Sequence, residues 1–355
     1  MSDGQSNRPR TAEDPTKAIL SKSGLNEKYL CDYVLNVASG CSHGCSFCYV
    51  PSTPNIRTRG EMLKEQVDVD DGQEEWGDYV LYRDDIPERL ESKLSRKRTW
   101  RETEGGQGIV GISFHTDAFM DPRAADISSK TIQILGDYEK YTRVLTRNPK
   151  LANHYQHSFE QARGYVTIGT SVPTLDEDAV SAIEQNAPPV ESRLDGLKEF
   201  ADAGFPTFIS LSPTYPSIDS RDQMETLLKK VATADPDVIF HEPINQRGAN
   251  FQMTVDAAWN HSHDELGSQL AKIRDRDAWR RYSLKHHAWV QELGDKHDLP
   301  VHLWPDSRLM SIADGAVEAW LRKWYDRQSP EPFAERPTPS TPMPKIPDEV
   351  GSLSL

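Results

Sequence analysis

After residue 48 this chain has no cysteine; its four thiols are Cys31, Cys41, Cys45 and Cys48, in 355 residues. That shortage excludes a disulfide-stapled secreted framework, which needs cysteines distributed along the chain. Long apolar runs are also missing. No segment has the length or character of a membrane span or a secretory leader, so no membrane partner is expected, and free thiols fit a reducing cytoplasmic setting. Positive charge is scarce too: Lys and Arg total 41 against 55 Asp and Glu, a formal net charge of −14. Proteins that grip duplex nucleic acid usually show a basic footprint, so nucleic acid is not the favoured partner. The one basic stretch, Arg89, Lys93, Arg96, Lys97, Arg98 and Arg101, follows Pro87-Glu-Arg-Leu and reads as the solvated face of a helix.

What the chain does have is Cys41-Ser-His-Gly-Cys45-Ser-Phe-Cys48, three cysteines at C-x3-C-x2-C spacing. Three thiolates on one short loop can ligate three irons of a [4Fe-4S] cluster and leave the fourth iron open. The competing reading is a structural zinc site completed by His43, although tetrahedral closure is awkward inside so tight a loop. Cys31, ten residues upstream, reads as a buried, inert thiol at the start of a strand.

From Tyr33 onward, short apolar runs alternate with helical patterns. Tyr33-Val-Leu-Asn-Val-Ala leads into the cysteine loop. Residues 51–77 are polar and acidic and read as a loop insertion, followed by a strand at 76–82 and a helix at 86–97. Strands are then expected at 108–114, 141–146, 165–170, 207–212 and 237–240, with helices at 128–138, 154–162, 191–203 and 220–234. This is the pattern of parallel βαβ units with right-handed connections. It predicts an α/β fold, a partial (β/α)6 barrel of the TIM type, with the site on the face where the strands end. Polar residues at those ends are the candidates: Thr116 and Asp117, Arg147, Thr170 and Ser171, Ser212, Glu242 and Asn245. The expected domains are a flexible arm at 1–26, the barrel at 27–250, a mostly helical C-terminal extension at 251–327 with an additional strand near Val301, and a disordered Pro-rich tail at 328–355. His286-His287 read as surface or packing residues.

Asn36 to Tyr49 resembles the N-x3-GC-x-HGC-x-x-CY opening of the spore photoproduct lyase-like branch of the radical S-adenosylmethionine (SAM) superfamily. Tyr79-Val-Leu-Tyr with Pro87-Glu-Arg-Leu-Glu-Ser-Lys-Leu, Thr116-Asp117, Leu145-Thr-Arg147, Ala187-Pro188-Pro189 with Arg193, Ala203-Gly204, and Ser212-Pro213 through Pro216 are similar to later segments of that branch, in the same order. The likeness covers roughly Asn36 to Pro216.

The resemblance implies that Cys41, Cys45 and Cys48 are the metal ligands and that SAM binds the open iron. A reduced cluster would then cleave SAM to a 5′-deoxyadenosyl radical that abstracts hydrogen from a substrate. It implies Phe47 beside the SAM adenine, Thr116 and Asp117 toward the amino group, and Thr170 and Ser171 toward ribose or carboxylate. Arg147 would serve a carboxylate or an anionic substrate group, Ser212 a neighbouring strand end, and Glu242 the substrate or the adenine edge. The implied partners are a small-molecule, nucleotide or peptide substrate and a one-electron reductant such as flavodoxin or ferredoxin. Spore photoproduct lyase uses a cysteine beside its Thr-Asp strand end as a hydrogen-atom donor, whereas this chain has Phe114 and His115 there. The expected donor is therefore a tyrosine (Tyr49 or Tyr215), solvent or 5′-deoxyadenosine. A DNA-lesion lyase and a metal-stabilised interaction module are the alternatives.

Overall fold

The computed structural model describes residues 8–25, 30–96, 100, 108–246, 248–326 and 343–353. In chain order the strands are β1 Arg10–Glu13, β2 Ser21–Lys22, β3 Tyr33–Leu35, β4 Ala38–Gly40, β5 Tyr79–Tyr82, β6 Val110–Ile112, β7 Thr142–Leu145, β8 Val166–Ser171, β9 Thr207–Thr214, β10 Val238–Pro243 and β11 Val301–Leu303. The main sheet has eight strands in the order β11-β10-β9-β8-β7-β6-β3-β2. Every neighbouring pair is parallel except β2 with β3. β11 and β2 are its edges, so the sheet is open rather than closed into a barrel.

The helices that cover the sheet start where local chemistry says they should. Asp121 caps Pro122–Asp137 by accepting from the Ala124 N–H, with proline at the first position. Ser220 and Gln223 form a reciprocal capping box on Arg221–Ala232. Along Arg276–Lys296, the buried residues Trp279, Tyr282, Ser283, His286, His287, Val290 and Leu293 follow the three- and four-residue spacing of one helical face. That helix is the crossover between β10 and β11, and His286 and His287 are fully buried packing residues within it.

Several segments differ from the sequence expectation. Val301–Leu303 is a further parallel strand of the main sheet, so the parallel array runs past six strands and part of the expected helical extension belongs to it. Residues 10–22, expected to be a loose arm, supply β1 and β2. β1 joins β5 and β4 in a separate three-stranded sheet, held by backbone pairing and by an Arg10–Glu75 ion pair at 2.5 Å. The expected loop insertion contains the helices Pro54–Arg57 and Gly60–Val67, which bury Ile56, Leu63 and Val67. Residues 343–353 of the expected disordered tail pack on the body: Val350 is fully buried and Gln291 Nε2 donates to the Pro344 carbonyl at 2.5 Å. The rest of that tail, 328–342 and 354–355, and the first seven residues lie outside the described residues.

Candidate cofactor site at the strand ends

The cysteine loop leaves β4 through Gly40, whose φ of 92° favours glycine and whose Cβ, if present, would lie 2.4 Å from the Tyr79 carbonyl oxygen. Gly44 also takes a positive φ, 59°. The turns are closed by Gly44 N–H to Cys41 O at 3.3 Å and Cys48 N–H to Cys45 O at 3.1 Å. The loop is docked against the end of helix Glu177–Ile183. Ser46 N–H donates to Ile183 O at 2.9 Å, Asn186 N–H donates to His43 O at 3.3 Å, and His43 Nδ1 lies 3.2 Å from Asn186 O. Cys41 and Cys45 are buried and Cys48 half-buried. Burial pushes the Cys45 thiol up to about 11 and the Cys48 thiol to about 12, and Cys41 well up. Neighbouring thiols add to the rise at Cys41 and Cys48, while the backbone N–H groups of His43 and Val50 face their sulfurs and oppose it.

Asp117 ties this loop to the next two strand ends. Its carboxylate accepts from Phe119 N–H at 2.8 Å, Thr146 Oγ1 at 2.6 Å and Arg147 N–H at 2.7 Å, and stands 3.4 Å from His43 Nε2. Burial works to raise its pKa, but His43, Thr146 and the Arg147 N–H together hold it below the usual carboxylate value. Thr116 donates its hydroxyl to the Gly40 carbonyl. The pair expected to face the SAM amino group is therefore engaged in bracing the loop.

The neighbouring Arg147 is held by Glu184, whose carboxylate also pairs with Arg193 Nη1 at 2.6 Å and accepts from Tyr215 O–H at 3.1 Å. All three partners converge on a carboxylate whose side chain is fully buried. Burial favours its neutral form, yet Arg147 and Arg193 keep its pKa lowered. Burial likewise opposes charge on Arg147, and Glu184 outweighs it, so the guanidinium is held firmly protonated. Arg193 also donates to Pro188 O at 2.7 Å and Ser171 O at 3.1 Å. Phe47 lies between these groups, 4.9 Å from the Arg147 guanidinium and 5.7 Å from the Tyr215 ring, with its carbonyl accepting from Asn250 Nδ2 at 2.9 Å.

Strand alternation divides the remaining candidates. Ser171 shares a face with Gly169, Ser212 with Phe208, and Glu242 with Phe240, the face turned away from the covering helices. Thr170 shares the opposite face with Ile168 in the helix-side core, where its Oγ1 is buried without a hydrogen-bond partner. Tyr49 is half exposed and donates to Phe114 O at 3.0 Å, whereas Tyr215 is fully buried. Of the basic stretch, Arg89 pairs with Asp85 at 2.9 Å on its own helix, and 97–99 and 101 lie outside the described residues, as does Arg247.

The structure thus brings Cys41, Cys45, Cys48, Phe47, Asp117 and Arg147 into one connected assembly, with Thr116 bracing it. It adds Glu184, which the sequence reading did not assign to the site, and gives His43, considered there only as a zinc ligand, a place in docking the loop. Glu184 had a signal, three residues before the Ala187-Pro188 step. Among the described residues, no three His, Cys, Asp or Glu side chains converge on a single metal-ion position. His43 lies against Asn186 O through Nδ1 and stands 3.4 Å from Asp117 through Nε2, so in this structure it serves the docking of the loop. Three neighbouring thiols, two buried and one half-buried, with backbone N–H groups facing the sulfurs of Cys41 and Cys48, fit the donor set of a cluster held at three corners.

No protein-family profile matches the chain. An uncharacterized protein of Acidianus two-tailed virus is 27% identical over 290 residues, covering 78% of this chain and 89% of the viral protein. An uncharacterized protein of Mycobacterium tuberculosis is 24% identical over 225 residues, covering 61% of each chain. Two solved structures of spore photoproduct lyase mutants superpose with TM-scores of 0.57 and 0.58 at 13% and 12% identity, each covering 82% of this chain and 80% of the other. Reached at so low an identity, this likeness establishes that the chain shares the mixed α/β, parallel-sheet fold of spore photoproduct lyase.

Proposed function

We propose that this chain is a radical SAM enzyme of the spore photoproduct lyase-like branch, with Cys41, Cys45 and Cys48 holding a [4Fe-4S] cluster. The observation that carries the reading is the three-thiol loop, braced by Asp117 and Thr116 at the strand ends of a sheet with that fold. When bound, the cluster supplies an electron for reductive cleavage of SAM, and the radical so released takes hydrogen from the substrate.

The chain's own residues bind, orient and exclude water. His43 and Ser46 pin the loop to helix Glu177–Ile183. Phe47, fixed between Arg147 and Tyr215, offers a flat surface for adenine. Ser171, Ser212 and Glu242 are the polar groups of the open sheet face assigned to SAM and substrate. Thr116, Asp117 and Arg147 act as positioning residues, because their polar atoms are already engaged. Around this site we read the open sheet as a partial barrel of the TIM type. The remaining assignments are a cytoplasmic setting and a flavodoxin- or ferredoxin-type reductant.

Anaerobic reconstitution should give about four iron and four sulfide per chain, and the reduced protein should convert SAM to 5′-deoxyadenosine. Alanine at Cys41, Cys45 or Cys48 should abolish both, whereas Cys31→Ala should leave the iron content unchanged. Colourless protein with stoichiometric zinc after anaerobic preparation would overturn the reading.

A further inference from the structure

The face of the main sheet turned away from the helices carries a buried charge with no counter-charge among the described residues. Across it, Val34, Gly111, Arg143 and Thr167 stand side by side on β3, β6, β7 and β8. The next row toward the strand ends is Leu145, Gly169, Phe208 and Val238. Glycine at 169 is required by close approach, since a Cβ there would lie 2.3 Å from the Phe208 ring. At Gly111 it would meet the Phe114 ring at 2.0 Å and Cys31 Sγ at 3.1 Å. Two aromatic rings therefore lie flat over β6 and β8, on either side of the strand that carries Arg143.

Arg143 is 5% exposed. Its guanidinium carbon is 5.6 Å from the Phe208 centroid and 5.9 Å from that of Phe240. Nε is buried without a hydrogen-bond partner. No carboxylate pairs with this guanidinium among the described residues. The Thr167 hydroxyl beside it is turned to the Pro206 carbonyl at 2.8 Å. The titratable neighbour is Cys31, whose thiol burial keeps neutral by pushing it up to about 11. Burial pulls Arg143 down to about 10, which leaves it cationic at neutral pH. Ring faces compensate a desolvated guanidinium only in part, and a buried cation ordinarily comes with an anion.

We infer that Arg143 is the receptor for an oxyanion, a phosphate or carboxylate group of the substrate, bound on the face of the sheet turned away from the helices. This deepens the proposed function and rests on it for the ligand's being the substrate; the anion site itself stands on the geometry. Arg143 precedes Arg147 by four residues, about 13 Å at the rise of a strand. The anionic group would thus lie well below the cysteine loop, apart from any carboxylate at the strand ends. An oxyanion also suits a guanidinium that has no acceptor among the described residues. The Arg147 guanidinium is engaged by Glu184, whereas Arg143 has no ion pair among the described residues, and its burial suits a single anionic group rather than a duplex.

The test needs no cluster. Thermal unfolding of the purified full chain is followed with inorganic phosphate, adenosine monophosphate and acetate at matched ionic strength. At least one oxyanion should raise the midpoint with saturating dependence, and the arms separate phosphate from carboxylate. Arg143→Gln should remove that shift and weaken binding by calorimetry at least tenfold. Arg143→Lys, which keeps the charge, should retain part of it and serves as the comparison if the glutamine variant does not fold. No shift with any of the three at millimolar concentration, or equal shifts in wild type and variants, overturns the inference. SAM cleavage by the reconstituted wild type is read separately. Its absence with the anion shift intact overturns the enzyme reading and leaves the oxyanion site standing, and the reverse result overturns the site alone.

Discussion

Two buried arginines on opposite faces of the same sheet have opposite fates. Arg193, on the helix side, is fully buried and has Glu184, the Pro188 carbonyl and the Ser171 carbonyl around it. Arg143, on the face away from the helices, has aromatic rings and no acceptor among the described residues. The first kind of charge is structural: its partners come from the end of β8, the end of helix Glu177–Ile183 and the loop before its own helix, and it locks them together. The second is left for something that is not part of the chain. Removing a partner from the first region should therefore cost stability, while removing the charge from the second should cost binding.

The largest effect should follow Glu184→Ala, which leaves Arg147 and Arg193 unpaired in the interior; a loss of about 3–5 kcal/mol is expected from urea unfolding. A loss under about 1 kcal/mol would break the comparison, because the paired region would then be no more structural than the unpaired one. Next comes Asp117→Asn, expected to cost about 1.5–3 kcal/mol through its charge-assisted hydrogen bonds. The pH dependence sharpens this. Asp117 and Glu184 both have lowered folded-state pKa values, so their stabilisation is present above the unfolded values and is lost as pH falls through the folded ones. Wild-type urea midpoints should begin to drop below about pH 5 and fall steeply below about pH 4, and Asp117→Asn should flatten that slope. Tyr215→Phe removes one neutral donor to Glu184 while keeping the ring against Phe47, and should cost about 1 kcal/mol. The smallest change is expected from Arg143→Met. Without added anion the variant should match the wild type within about 1 kcal/mol or exceed it, and a larger loss in the same urea assay would show that Arg143 is structural after all.

The cysteine loop was legible because its chemistry is local: three thiols and two glycines within nine residues, Gly40 to Cys48. The central strands were legible as continuous apolar runs, which is how a strand buried on both faces reads. β1 was not. Arg10-Thr-Ala-Glu13 has no apolar run, and its pairing with β5 comes from backbone groups and an ion pair to a residue 65 positions away. β11 was visible only as an additional strand, because its three residues gain their place from the crossover helix before them. At the site, spacing could not reveal that Thr116, Asp117 and Arg147 would be occupied by Gly40, Thr146 and Glu184, since those partners are set by strand order. Cys31 is buried as expected, but it lies over Gly111 on the face of Arg143, a placement that only sheet register decides.

Gln291, in the middle of the crossover helix, accepts from the indole N–H groups of Trp320 at 2.7 Å and Trp324 at 2.8 Å and donates to the Pro344 carbonyl. Lys285, on the same helix, donates to the Gly351 carbonyl at 3.2 Å. The β10–β11 edge therefore cannot reach its final packing on a ribosome until residues near 350 have emerged. Until then the growing chain carries an unfinished sheet edge, a period of exposure to aggregation that ends when residues 343–353 dock.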